Sequence, residues 1–246
     1  MVLEVCVDSL ISARAAIAGG ADRIELCSAL SVGGLTPYGE LLAAIRRESD
    51  IPVRCLMRPR PGDFLYTPEE REMVKEQILR LKDLGADGFV IGALLPDGTL
   101  DEGSMTCWLE ACGGLGVTLH RCMDVSRDLE ETYLAAGRLG VDTVLTSGGR
   151  ENCRLGMENI TKLLSLRGST AGPEVLIGSG VNAEVISAFR ESLPGAVAFH
   201  MSGKKSVPSK MEFRREGVPM GIPGLDEWQI AYTDECAVRR AKTAMK

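Results

Sequence analysis

Two short apolar runs near the start of the chain, VLEVCV and DRIELC, each carry a carboxylate and a thiol two residues apart: Glu4 with Cys6, and Glu25 with Cys27. Residues two apart on a strand project from one face, so each pair presents an acid beside a soft sulfur. On parallel neighbours about 4.8 Å apart, the four side chains form one polar cluster. Carboxylates on otherwise buried strands are rarely there for packing. The chemistry open to such a cluster is proton transfer by the acids or capture of a soft cation by the sulfurs.

The 2 histidines of the chain, His120 and His200, fall at the ends of two further runs, GVTLH and AVAFHM. They join Glu4 and Glu25 as candidate acid/base groups. Arg58 and Arg60 flank a proline in MRPRPGDF, which makes them fixed cationic forks suited to carboxylate or phosphate. Arg60 and Asp63 are expected to face a ligand; Arg58 either does the same or neutralises Glu25 or Glu4, because a buried carboxylate needs a partner. Arg121 and Asp124 follow His120, and Ser202 follows His200. Ser147 and Gly148 in SGG, and Gly178 and Gly180 in GSG, follow two more runs. Small residues there let backbone N–H groups approach an anion, although tight turning explains the same glycines.

The elements that must position these residues repeat along the whole chain. A short β-branched or apolar run, a turn and an amphipathic helix recur, which implies parallel strands with crossover helices. The eight runs are VLEVCV, DRIELC, PVRCLM, DGFVIG, GVTLH, DTVLT, EVLIG and AVAFHM. The helices are expected over 11–18, 38–48, 69–84, 101–111, 128–139, 155–166, 183–192 and 234–244. Similar turns, GGAD, LGAD and LGVD, end a helix at glycine and start the next strand at aspartate. Eight such units close a (β/α)8 TIM barrel, whose chemistry sits where the strands end.

The 246 residues, 45% of them hydrophobic, suffice for a full core. No Pro/Ser/Gly-rich linker divides them, so the expectation is one domain over 1–246, with 204–232 as a loop-rich segment before the last helix. The net charge of -6 argues against nucleic acid or an anionic membrane as main partner. MVLEVCVDS reads as a strand without the basic region of a signal peptide, and no apolar segment approaches a membrane span. The 8 cysteines lie partly inside strand-like runs of a chain too large to need disulfides, which points to reduced thiols and a cytoplasmic location. No G-x-S-x-G elbow is present, and no strand run contains the lysine that Schiff-base chemistry requires.

EVCVDS, GGADRIELCSALSVGGLTP, RPRPGDFLYT, GADGFVIGAL, LHRCMD, LTSGG, IGSGVN and FHMSGKK, in this order, resemble the CutC family over nearly the whole chain. The resemblance implies a TIM barrel and a link to cytoplasmic copper homeostasis. It also implies copper(I) held by Cys6 and Cys27, which lie in the family's amino-terminal motifs; no organic cofactor is evident. The chain departs from the usual pattern at Cys122 and Met123, at Ser179 and at Gly203, which alters the shape of the pocket beside the charged positions. Two functions remain open at this point. One is a copper-binding homeostasis protein; the other is an enzyme doing acid/base chemistry on a small anionic substrate. A homodimer is expected, with the segment after Met211 covering the barrel or a second subunit.

Overall fold

The computed structural model describes residues 1–215, 217–222 and 224–246. Its strands are β1 (Val2–Val7), β2 (Arg23–Leu26), β3 (Val53–Leu56), β4 (Gly88–Ile91), β5 (Gly116–Leu119), β6 (Thr143–Thr146), β7 (Glu174–Ile177) and β8 (Ala198–Met201). They pair in sequence order, and β8 returns to β1 to close a parallel barrel. The helices α1 (Leu10–Gly19), α2 (Gly39–Arg46), α3 (Pro68–Asp83), α4 (Glu102–Cys112), α5 (Leu129–Arg138), α6 (Met157–Thr170), α7 (Ala183–Ser192) and α8 (Glu235–Ala244) complete a (β/α)8 TIM barrel.

Local chemistry sets these boundaries. Ser9, Asp101, Asp128 and Asn182 cap α1, α4, α5 and α7 by accepting a backbone N–H three residues on, and Thr67 with Glu70 forms a full capping box on α3. In the recurring turns, Gly20, Gly85 and Gly140 take φ of 92°, 93° and 85°. The aspartate that follows has a second task. Asp22, Asp87 and Asp142 accept the N–H of Leu3, Val53 and Val117 at 2.7, 2.7 and 3.0 Å, tying each strand start to the turn that enters its neighbour.

The main core lies between barrel and helices and includes Phe89, Trp108, Tyr133, Phe189 and Phe199. The barrel interior holds two smaller apolar clusters, Cys27, Leu56 and Val90 on one side and Leu145, Leu176 and Ala198 on the other. Near the amino ends of the strands, Arg54 crosses the interior. Its guanidinium reaches Thr118 at 2.6 Å, Thr143 at 3.1 Å and Asp142 at 2.7 Å. Gly88 and Gly116 make room for it: a Cβ at Gly116 would stand 2.5 Å from Arg54 Nη2.

The segment 204–232 carries a strand at each end. β9 (Lys204–Pro208) and β10 (Gln229–Thr233) pair antiparallel, and the N–H of Thr233 donates to Ser12 Oγ of α1 at 3.1 Å. Between them Met211, Phe213, Met220 and Leu225 are exposed; Glu216 and Pro223 lie outside the described residues. Among the described residues no helix is long and apolar enough to cross a membrane.

Candidate functional site

The register of β1 decides which side chains meet. Glu4 stands opposite Arg23 on β2 and His200 on β8, while Cys6 stands opposite Glu25. Paired positions share a face, so these five side chains form two layers inside the barrel. Glu4 is fully buried in the lower one; its Oε1 lies 2.8 Å from His200 Nδ1, and its Oε2 accepts from Arg23 Nε at 2.6 Å. His200 is thereby held by one nitrogen, with its other nitrogen, Nε2, 3.9 Å from Glu25 Oε2. The ligand atoms of Cys6, Glu25 and His200 all lie within 4.8 Å of one another.

The charges follow from these partners. Burial alone would raise the Glu4 carboxyl, but the hydrogen bond from His200 and the charges of Arg23 and His200 bring it down to about 2. Glu25 faces His200 across a longer 3.9 Å, and burial outweighs that charge and pushes it up to about 7. Burial opposes a charge on His200 as well; the negative charge of Cys6 and Glu25 and the bonds to Cys6 and Glu4 outweigh it and hold the imidazole well above its usual range. His120, on the β5 side, goes the other way: burial and the neighbouring Arg58 charge lower it to about 3.

A cavity of about 620 Å³ opens at the carboxyl ends of the strands. Of the residues expected from sequence, Cys6, Glu25, His120 and His200 line it, as do Arg58, Arg121, Asp124, Gly180 and Ser202. Glu4 lies beneath it, behind His200. Cys27 is elsewhere: it is buried with Leu56 and Val90, and its thiol donates to Val7 O at 3.3 Å. Arg60 is engaged by Asp63 at 3.0 Å and Glu70 at 2.6 Å, and neither Arg60 nor Asp63 is among the cavity's lining residues. Among the described residues Arg58 meets no carboxylate; its terminal nitrogens donate to the carbonyls of Val32, Gly34 and Gly62 at 2.9, 3.0 and 2.9 Å.

The SGG turn after β6 is closed on itself. Asp124 accepts the N–H groups of Ser147 and Gly149 at 3.0 Å, the Thr146 hydroxyl at 2.6 Å and Arg121 Nε at 2.6 Å, while the Gly148 N–H donates to Thr146 Oγ1 at 2.8 Å. The donors expected to cradle an anion at Ser147 and Gly148 are therefore occupied by the chain's own groups. Gly178 is buried and packs close, a Cβ there standing 2.6 Å from Leu145 Cδ1 and 3.7 Å from His200 Cβ.

Sequence reasoning missed Arg23, Phe64 and Lys204. Arg23 is the partner of Glu4, and its place two residues before Glu25 was the available signal. Phe64 sits in the loop after β3 and packs on His120, ring centroids 4.8 Å apart. Lys204, at the start of the segment expected to be loop-rich, begins β9 and lines the cavity.

Comparison with known proteins bears on the whole chain. The family model described as the CutC family matches residues 1–205. A family protein CutC from Vibrio campbellii is 37% identical over 246 residues, covering 99% of this chain and 98% of that one. A family protein CutC from Klebsiella pneumoniae subsp. pneumoniae is 39% identical over 242 residues, covering 98% and 96%. Among solved structures, a CutC from Streptococcus agalactiae, whose name assigns it to copper homeostasis, is 27% identical with a TM-score of 0.76, covering 82% of this chain and 99% of that one. The 3-hexulose-6-phosphate synthase of Salmonella typhimurium, 13% identical with a TM-score of 0.61 and covering 100% of this chain and 98% of that one, shares the fold.

Proposed function

This chain belongs to the CutC family, and we propose that it serves copper homeostasis by holding a copper(I) ion on Cys6 and His200 at the barrel mouth, with Glu25 beside them. The observation that carries the reading is the approach of the three ligand atoms within 4.8 Å. Thiolate and imidazole suit copper(I). The carboxylate of Glu4 behind His200 supplies the arrangement in which a ligating histidine gives its other ring nitrogen to an acid, fixing both tautomer and ring orientation. Capture requires a deprotonated thiol and a neutral ring nitrogen. Glu25, held near 7 by burial, is placed to take up a proton as the ion arrives.

This assignment replaces the Cys6–Cys27 pair expected from the motifs. Closing the barrel staggers its strands, so Cys6 stands opposite Glu25 and Cys27 lies one layer further along. Competition titration against a copper(I) chelator tests the assignment. Cys6→Ser and His200→Gln should each lose the tight site, and Cys27→Ser should keep it. Loss in Cys27→Ser together with full affinity in His200→Gln would restore the two-sulfur site.

A second reading, acid/base catalysis on a small anionic substrate, is favoured by one observation: a carboxyl group near 7 opens onto a cavity of enzyme-site size. Turnover of a carboxylate or phosphate substrate that is abolished in Glu25→Gln would establish it. Full turnover in that variant would remove Glu25 from the mechanism.

A further inference from the structure

On the side of the cavity formed by the ends of β3 and β5, two buried N–H donors have no acceptor among the described residues: Arg58 Nε and His120 Nε2. Both side chains line the cavity, and both residues are more than nine-tenths buried, with Arg58 8% and His120 4% exposed. The other buried side-chain polar atoms without a partner belong to Tyr66, Arg71 and Gln77, none of which lines the cavity.

Geometry fixes both groups as donors. His120 Nδ1 accepts the N–H of Cys122 at 3.1 Å, so the neutral ring carries its hydrogen on Nε2. Burial keeps that ring neutral. The three carbonyls of Val32, Gly34 and Gly62 hold the terminal nitrogens of Arg58, leaving Nε–H over. The Phe64 ring lies against both, 4.8 Å from the His120 ring and 5.2 Å from Arg58 Cζ. A buried donor left unpaired is costly, and a ligand oxygen would relieve it.

The chemistry of the wall selects the ligand. Two N–H donors, one of them on a guanidinium, call for acceptor oxygens and repel a cation; Lys204 on the same cavity adds positive charge, while Arg121 is already paired with Asp124. A flat apolar ring beside them matches a planar group better than a tetrahedral one. We propose that Arg58, His120 and Phe64 form a subsite for the carboxylate of a small organic acid, whose remaining atoms extend across the cavity towards Cys6 and His200. Both donor atoms are buried, with the Phe64 ring against their side chains, so the carboxylate must displace that ring on binding.

The test uses the full chain, stripped of metal by a chelator, so that copper capture plays no part in the result. Pyruvate, oxalate, succinate and inorganic phosphate serve as probes, and nitrogen-resolved NMR of the histidine rings is the readout, with only 2 histidines to assign. At least one carboxylate should bind and move the His120 Nε2–H resonance downfield. His120→Phe, which keeps a ring against Phe64, and Arg58→Lys, which keeps the charge and drops Nε–H, should each weaken that binding at least tenfold. The wild-type resonance remains decisive even when a variant fails to fold. No movement with any carboxylate, movement with phosphate alone, or undiminished binding by a folded His120→Phe protein would overturn the proposal.

Discussion

His200 Nδ1 and Glu4 Oε1 stand 2.8 Å apart in the barrel interior, and Arg23 Nε closes the far side of the same carboxylate at 2.6 Å. The buried acid thus aims the imidazole and holds its charge. Glu4→Gln keeps the shape and loses the charge, so copper(I) affinity should fall about 10–100-fold, the usual effect of removing an acid behind a ligating histidine. Chelator competition measures it. An unchanged affinity would separate Glu4 from the metal site.

Stability of the metal-free protein should depend on Glu25 in a defined direction. The folded state binds the Glu25 proton more tightly than the unfolded chain, since burial raises it from 4.5 to about 7. Its contribution is therefore complete below about 4.5 and is lost as pH rises through about 7. Glu25→Gln should gain on the wild type across that window, as measured by thermal unfolding at a series of pH values. His120 acts in the opposite sense: lowered from 6.5 to about 3, it contributes stability above 6.5 that is lost as pH falls. His120→Phe should flatten the acid limb of the profile.

The packing of Arg54 against glycine gives a third expectation. A methyl at Gly116 would stand 2.5 Å from Arg54 Nη2, so Gly116→Ala should destabilise by roughly 1–3 kcal/mol, the usual cost of overpacking. Urea unfolding measures the loss. Adding Arg54→Met should recover part of it, because the two side chains contend for one space; strict additivity would contradict that contact.

Asp124 offers a fourth. Its carboxylate gathers Arg121, Thr146, Ser147 and the N–H of Gly149, and Asp124→Asn removes the charge from all of these bonds. A loss of about 1.5–3 kcal/mol is expected if one charge-assisted bond is forfeited net. Faster amide exchange at Ser147 and Gly149 should accompany it.

The strands were legible as short apolar or β-branched runs, most of them entered from a glycine-containing turn, and α7 falls on the expected residues Ala183–Ser192. Periodicity also marks the inward face that Glu4, Cys6 and Glu25 share. What alternation cannot supply is the offset between neighbouring strands. Matching Glu4 with Glu25 and Cys6 with Cys27 assumes no offset, whereas β1 and β2 are displaced by two residues relative to that pairing. The same displacement brings Arg23 to Glu4; spacing marks both residues as inward-facing but does not match them to one another. Loop residues fared differently. Arg58 and Arg60 share one motif, yet one lines the cavity and the other pairs with Asp63 and Glu70, a division set by helix α3 supplying Glu70. The pairing of β9 with β10 joins segments separated by about twenty residues of polar, glycine-containing chain, which carries no turn signal of a short hairpin.

The sealed position of Cys27 makes thiol reactivity informative about the barrel. Burial raises its thiol well above the ordinary range, and the reactive form of a cysteine is the thiolate. Cys236 on α8 is exposed, while Cys6 is buried in the barrel but lines the cavity. An alkylating reagent should therefore label the native protein in a set order: Cys236 first, the half-buried Cys107 next, Cys6 more slowly through the mouth, and Cys27 only on unfolding. Copper(I) added beforehand should remove the Cys6 event alone, turning a mass spectrum of the labelled protein into a readout of occupancy.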